Sequence, residues 1–90
     1  MPNAEKQNRL KVRTPQFAAL RLMNKVNALY QGNFIGTDEK AFLSQGIRSG
    51  MNTGDYTALY DWLDKICPRA SPDNPFFSQM REILREEAHE

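Results

Sequence analysis

The stretch TGDYTALYDWLDKICP, residues 53–68, carries the most regular hydrophobic pattern in the chain. Its apolar side chains recur three and four positions apart, which is the spacing of one face of an α-helix. They are Tyr56, Leu59, Tyr60, Leu63, Ile66 and Cys67. The triplet at residues 53–55 is typical of a helix start, and Pro68 prevents much continuation. The stretch therefore predicts an amphipathic helix between these boundaries, with Trp62 at the edge of its apolar face.

Two segments with the same periodicity precede this stretch. Thr14 and Pro15 predict the N-cap and first turn of a helix whose apolar spacing continues until Gly32. Thr37 is followed by two acidic residues, which suit the positive end of a helix dipole. It predicts a second helix that ends at Gly50. The apolar side of that helix is formed by Phe42, Leu43, Ile47 and Met51.

A last helix is predicted after the turn at residues 71–75, where Asn74 followed by Pro75 is typical of a cap and a helix start. Its apolar stripe consists of Phe76, Phe77, Met80, Ile83 and Leu84. Gly46, inside the second helix, costs about 1 kcal/mol relative to alanine, and it indicates either a close helix crossing or fraying. Four amphipathic helices with short connectors predict an all-α fold, a small irregular bundle with residues 14–88 as a single helical domain.

Residues 1–13 are polar and basic, with few apolar anchors. Terminal segments of this composition stay loose unless something ties them down, so a flexible basic N-terminal arm is predicted. Leu10 and Val12 alternate with Lys11 and Arg13, a pattern that also permits a short edge strand.

Size and composition limit the class of protein. Ninety residues suffice for one domain with one core. Cys67 is the only cysteine, so no intrachain disulfide can form. No apolar run reaches the length of a signal peptide or of a membrane span. A cytoplasmic protein without a membrane partner is therefore expected.

Catalysis needs a nucleophile with a base, paired carboxylates in a cleft, a metal or a cofactor cradle. The single histidine, His89, is second from the end, and Cys67 belongs to an apolar stripe. Asp61 and Asp64 lie three positions apart on a polar helix face, where solvated acids are the common arrangement. No catalytic residue, metal site or cofactor is predicted, and the chain is expected not to be an enzyme. A metal enzyme using Asp61 and Asp64 is kept as a third hypothesis.

Charge is distributed unevenly along the chain. Residues 1–50 contain eight basic and three acidic side chains, whereas residues 51–90 contain four basic and eight acidic ones. The two halves therefore carry +5 and −4. Such asymmetry indicates either an electrostatic partner or two halves that attract each other.

The predicted contact residues combine a basic strip with one aromatic side chain. They are Lys6, Arg9, Lys11, Arg13, Arg21, Lys25, Arg48 and Trp62. Phe17 falls on the polar face of the first helix, where it either folds over the arm or meets a partner. Aromatic and arginine side chains are typical anchors of protein interfaces.

We expect a small non-enzymatic interaction protein, a regulator, adaptor or inhibitor that binds a larger protein. Self-association as a homodimer would add core to so small a bundle. The alternative is a nucleic-acid-binding regulator that uses the basic arm and first helix. The two helices predicted around residues 38–62 have a plausible helix-turn-helix turn, but the acids Asp61 and Asp64 on the recognition helix would repel phosphates.

Overall fold

The computed structural model describes residues 9–88, which form a bundle of four α-helices. The helices are α1 (Pro15–Gln31), α2 (Thr37–Thr53), α3 (Thr57–Ile66) and α4 (Phe76–Glu87), with a 3-10 turn (Cys67–Arg69) between α3 and α4. Within the described residues, extended pairing is limited to two isolated bridges. The predicted small all-α bundle is confirmed.

α1 is the central helix of the bundle. It packs along α2 on one side and along α4 on the other, and α3 packs mainly against α4. The side chains of α1 that face the core are Ala18, Ala19, Leu22, Val26 and Leu29. α2 and α3 contact each other through Gly50 and Tyr56 near the turn that joins them and through Phe42 and Trp62 farther along, and a groove lies between the two helices.

The helix starts use polar groups, although not always those that the sequence suggested. Asn74 begins α4 as predicted, because its side-chain oxygen accepts the Phe76 N–H at 3.0 Å. Thr14 occupies the N-cap position of α1, but its hydroxyl donates to Glu87 instead of capping the helix.

The start of α3 lies two residues later than the end of the predicted 53–55 triplet. Asp55 accepts the Thr57 N–H at 2.9 Å, so this carboxylate organises the first turn without being part of the helix. Gly36 takes the N-cap position of α2, and its N–H donates to the Glu39 carboxylate at 2.8 Å.

The predicted end of α2 at Gly50 is wrong. The helix continues to Thr53 and ends at Gly54, whose φ of 78° lies in the left-handed region that glycine adopts easily. Gly50 instead allows the ring of Tyr56 to pack against the backbone of α2, because a β-carbon at this position would overlap that ring. The close helix approach is therefore at Gly50, whereas a β-carbon on Gly46 would lie 3.7 Å from Leu59, an ordinary contact.

Residues 9–13 run across the ends of three helices. The Val12 N–H donates to the Gly54 carbonyl at 3.0 Å, and the Arg13 N–H donates to the Glu87 carbonyl at 3.1 Å. The side chain of Val12 is only 7% exposed. The sequence predicted a flexible arm over residues 1–13, but residues 9–13 are held by these hydrogen bonds. They form the short strand-like pairing that the alternation of apolar and basic residues permits. Residues 1–8 lie outside the described residues.

Tyr56 joins several of these elements. It is 1% exposed, its hydroxyl donates to the Pro15 carbonyl at 2.9 Å, and its backbone N–H donates to the Leu10 carbonyl at 2.8 Å. Burial disfavours the phenolate and raises the pKa of Tyr56 to about 12.

We expect Gly50→Ala to lower the free energy of unfolding by about 1–3 kcal/mol, because the new methyl group must displace the Tyr56 ring. Gly46→Ala is the matched control in the same helix. It should leave stability unchanged or raise it by up to about 1 kcal/mol, since alanine favours the helix and space is available. Urea denaturation followed by circular dichroism would measure both. Equal effects of the two substitutions would contradict the close approach at Gly50.

Alkaline pH should destabilise the fold through Tyr56. The unfolded chain loses this phenolic proton near the ordinary value of 10, whereas the folded chain keeps it until its pKa of about 12. The contribution is therefore complete below pH 10 and is lost as the pH rises to 12, up to about 2 kcal/mol. Denaturation between pH 8 and 12 would show a smaller loss for Tyr56→Phe than for the original protein. An equal loss in the two proteins would contradict the assignment of this pH dependence to the buried Tyr56 hydroxyl.

Candidate functional site

The basic strip predicted from the sequence is partly neutralised within the chain. Arg21 forms ion pairs with Glu86 and Glu87, each at 2.8 Å. Hydrogen bonds from its guanidinium to Glu86 and Glu87 raise the pKa of Arg21. Arg21 belongs to the basic half and both partners to the acidic half. At this position, the positive and negative halves of the sequence therefore attract each other within one molecule.

Arg9 is also paired, with Asp55 at the start of α3. Partial burial raises the pKa of the Asp55 carboxyl, but hydrogen bonds from Thr57 and Arg9 outweigh burial, so this pKa lies below its ordinary value. The ion pair thus attaches residue 9 to the turn that organises α3.

The other predicted cations lie at separate places. Lys11, Arg13 and Arg48 are exposed, and Lys25 is half-buried beside the shallow α1–α4 groove that Glu82 and Glu86 also line. Lys6 lies outside the described residues. Of the described cations of the strip, Arg9 and Arg21 are therefore paired with acids of the same chain.

Trp62, predicted as an edge residue, is covered on both sides by aromatic rings. Its ring lies 5.5 Å from that of Phe42 and 5.5 Å from that of Phe77, the latter edge to face. The exposed member of this aromatic row is Phe42, which is 54% exposed. The prediction had placed Phe42 on the apolar side of α2.

A signal for the exposure of Phe42 does exist in the sequence. The residues three, four and seven positions after Phe42 are Gln45, Gly46 and Ser49, so it stands on a polar stripe of α2. Leu43 and Ile47 form the buried stripe instead. Phe42 and Leu43 are both apolar, so residue type alone does not show which of them is buried. The residues at helical spacing from each of them do show it.

Beside Phe42, a groove of about 390 Å³ separates α2 from α3. Its lining residues are Phe42, Gln45, Gly46, Ser49, Asp55, Tyr56, Ala58 and Leu59. We call this the α2–α3 groove. Gly46 contributes no side chain to the groove, so this part of its lining on the α3 side is formed by Leu59.

Asp61 lies near one end of the α2–α3 groove, in a depression that Arg9, Asp55 and Ala58 also line. It forms no hydrogen bond or ion pair with any residue that the structure describes. Asp64, three positions on, accepts a hydrogen bond from Arg81 at 2.8 Å. The two carboxylates of the metal-enzyme hypothesis therefore have different surroundings.

Residues 9–88 contain no group of three or more histidine, cysteine or acidic side chains arranged to hold a metal ion. Cys67 is partly buried in the 3-10 turn, and His89 lies outside the described residues. None of the described helices combines the length and apolar character needed to cross a membrane.

Comparison of the chain with protein-family models, with curated proteins and with solved structures finds no match.

Proposed function

We propose that this protein is a small non-enzymatic binding module that docks a larger protein through the α2–α3 groove. The observation that carries the proposal is the exposure of Phe42 beside that groove: 54% of a large aromatic side chain meets solvent next to an open, partly apolar depression. Aromatic side chains at the edge of a pocket are typical centres of protein interfaces.

Phe42 is supported from below. Its ring packs on Trp62, and Trp62 packs on the buried Phe77. Such tilted and edge-to-face pairs add about 0.5–1.5 kcal/mol each beyond the area they bury. The exposed ring is therefore held before any partner arrives, so binding loses little side-chain entropy at this position.

The groove selects for a partner segment with two features. An aliphatic or aromatic side chain would fill the space over Gly46 and Leu59 and contact Phe42. A lysine or arginine nearby would meet Asp61, whose carboxylate has no partner among the described residues. The expected ligand of the groove is therefore an apolar protein segment with an adjacent lysine or arginine.

Nucleic-acid binding has less support. It requires a continuous positive surface, since each neutralised phosphate adds to affinity. Arg9 and Arg21 are engaged by acids of this chain, and the acidic Asp61 borders the groove. These observations therefore favour a protein over a nucleic acid as the partner.

Selection of short peptides from a random library on the immobilised protein tests this proposal. The selected peptides should combine an apolar anchor with a lysine or arginine a few positions away. Phe42→Ser should weaken their binding by about tenfold or more, as loss of an interface anchor does. Asp61→Asn should weaken binding at low salt and much less at high salt, because the contact is electrostatic. Isothermal titration calorimetry measures each affinity.

Phe17→Ser is the matched control for Phe42→Ser. Phe17 is also 54% exposed, but it lies on α1, away from the α2–α3 groove. It should leave peptide affinity unchanged. Peptides that bind Phe42→Ser as tightly as the original protein, or a library that yields no enriched sequence, would contradict the proposal.

A further inference from the structure

The chain that precedes α1 runs antiparallel to the turn that precedes α3. The Val12 N–H donates to the Gly54 carbonyl at 3.0 Å, and the Leu10 N–H donates to the Thr57 hydroxyl at 2.7 Å. Because this pairing is antiparallel, a step back toward the start of the chain is a step forward into α3. The next residue on that path is Ala58, which lines the α2–α3 groove.

Arg9, the first described residue, lies at the mouth of this groove. It lines the depression at one end, together with Asp55, Ala58 and Asp61. Arg9 pairs with Asp55, whereas Asp61 is exposed and forms no hydrogen bond or ion pair with any residue that the structure describes. Two carboxylates therefore face one described cation at this end of the groove, which leaves room for a second cation.

We propose that residues 1–8, which lie outside the described residues, occupy the α2–α3 groove in the free protein and compete with the protein partner. We call residues 1–8 the N-terminal segment. It contains a cation, Lys6, preceded by the apolar Met1, Pro2 and Ala4. These are the two features expected of the ligand of the groove. The competition rests on the proposed function, whereas occupancy of the groove by the segment does not.

The length of the N-terminal segment matches that of the groove. An extended residue spans at most about 3.5 Å, so the three steps from Arg9 to Lys6 cover about 10 Å. The α2 side of the groove runs from Ser49 to Phe42, which is also about 10 Å at the rise of an α-helix. Lys6 can therefore reach Asp61, and the residues before it can follow the groove toward Phe42.

Side-chain alternation places the required residues against the protein. In an extended chain, every second side chain faces the same side. Val12 is buried and Leu10 packs against the core, whereas Lys11 is exposed. When this alternation continues toward the start of the chain, the acidic Glu5 faces solvent, away from Asp61. The side chains that face the groove are then Pro2, Ala4 and Lys6.

A weak contact is sufficient because the segment and the groove belong to the same chain. A short connection gives an effective concentration in the millimolar range, about 1 mM or more. A segment with a dissociation constant of about 1 mM would therefore fill the groove in roughly half of the molecules. A partner binds only the free grooves, so its apparent affinity falls in proportion to the fraction that is free.

Paramagnetic relaxation in NMR spectra of the full chain tests occupancy without any partner. A nitroxide is attached at Asn3→Cys in a Cys67→Ser background. It should broaden the amide signals of Gln45 and Gly46, which line the groove. Asp61→Asn should reduce this broadening about twofold, because the segment then loses one exposed ion pair.

A mixed sample distinguishes the chain's own segment from that of a second copy. In it, an isotopically labelled chain without nitroxide is combined with an unlabelled chain that carries one. The labelled chain should show no broadening at the groove. Broadening that is absent, that is unchanged by Asp61→Asn, or that is equally strong in the mixed sample would overturn the proposal.

Calorimetric titration with the peptides selected for the proposed function tests the competition. Lys6→Gln should raise their affinity about twofold to fivefold, the range of one exposed ion pair, because the segment then leaves the groove more often. Lys11→Gln is the matched control, since it removes the same charge from an exposed position next to the groove. It should change peptide affinity much less.

Unchanged affinity in Lys6→Gln, or an equal gain in Lys11→Gln, would overturn the competition. An equal gain would mean that a lower positive charge alone favours the cationic peptides. If the library yields no peptide, the proposed function fails, and the relaxation experiment still decides whether the segment occupies the groove.

Discussion

The contact of Tyr56 with Gly50 is the constraint on which the arrangement of the bundle depends. The ring lies against the backbone of α2 where no β-carbon fits, and the hydroxyl reaches the first residue of α1. The backbone N–H of the same residue holds the segment at Leu10. Tyr56, at the start of α3, thereby contacts α2, the first residue of α1 and the segment at Leu10. Farther along α2, Gly46 lies beside Leu59 and Phe42 packs on Trp62, and the α2–α3 groove lies between these helices.

α2 borders a groove on each of its two flanks. Leu43, Ile47 and Gly50 face the core. On one flank, Ile47, Arg48 and Met51 line the recess beside α1. On the other flank, Phe42 and Gly46 open toward α3. Arg48 lines the first of these grooves and Asp55 the second. The ion pairs of Arg9 and Arg21 reach acidic residues before the start of α3 and at the end of α4.

Local signals in the sequence were sufficient for the class of fold but not for its crossings. Apolar periodicity identified all four helices, and the turn before α4 used Asn74 as expected. Gly50 was misread because a glycine in a helix has two physical explanations, a helix end or a close approach, and only the position of Tyr56 decides between them. Phe42 and Trp62 exchanged roles for a similar reason. The spacing along α2 does place Phe42 on a polar stripe, but the packing of Trp62 against both Phe42 and Phe77 depends on how α2, α3 and α4 pack together.

The pairing of Val12 with Ala88 has a consequence for the order of folding. It joins residues that are 76 positions apart in sequence, so its formation closes a loop that contains all four helices. Closing so long a loop loses chain entropy that local helix contacts do not. The α1–α2 hairpin has only a short connector and can form from neighbouring residues alone. Assembly of the chain should therefore proceed from this hairpin, and the pairing of Val12 with Ala88 should form last, after the end of α4 has been synthesised and packed.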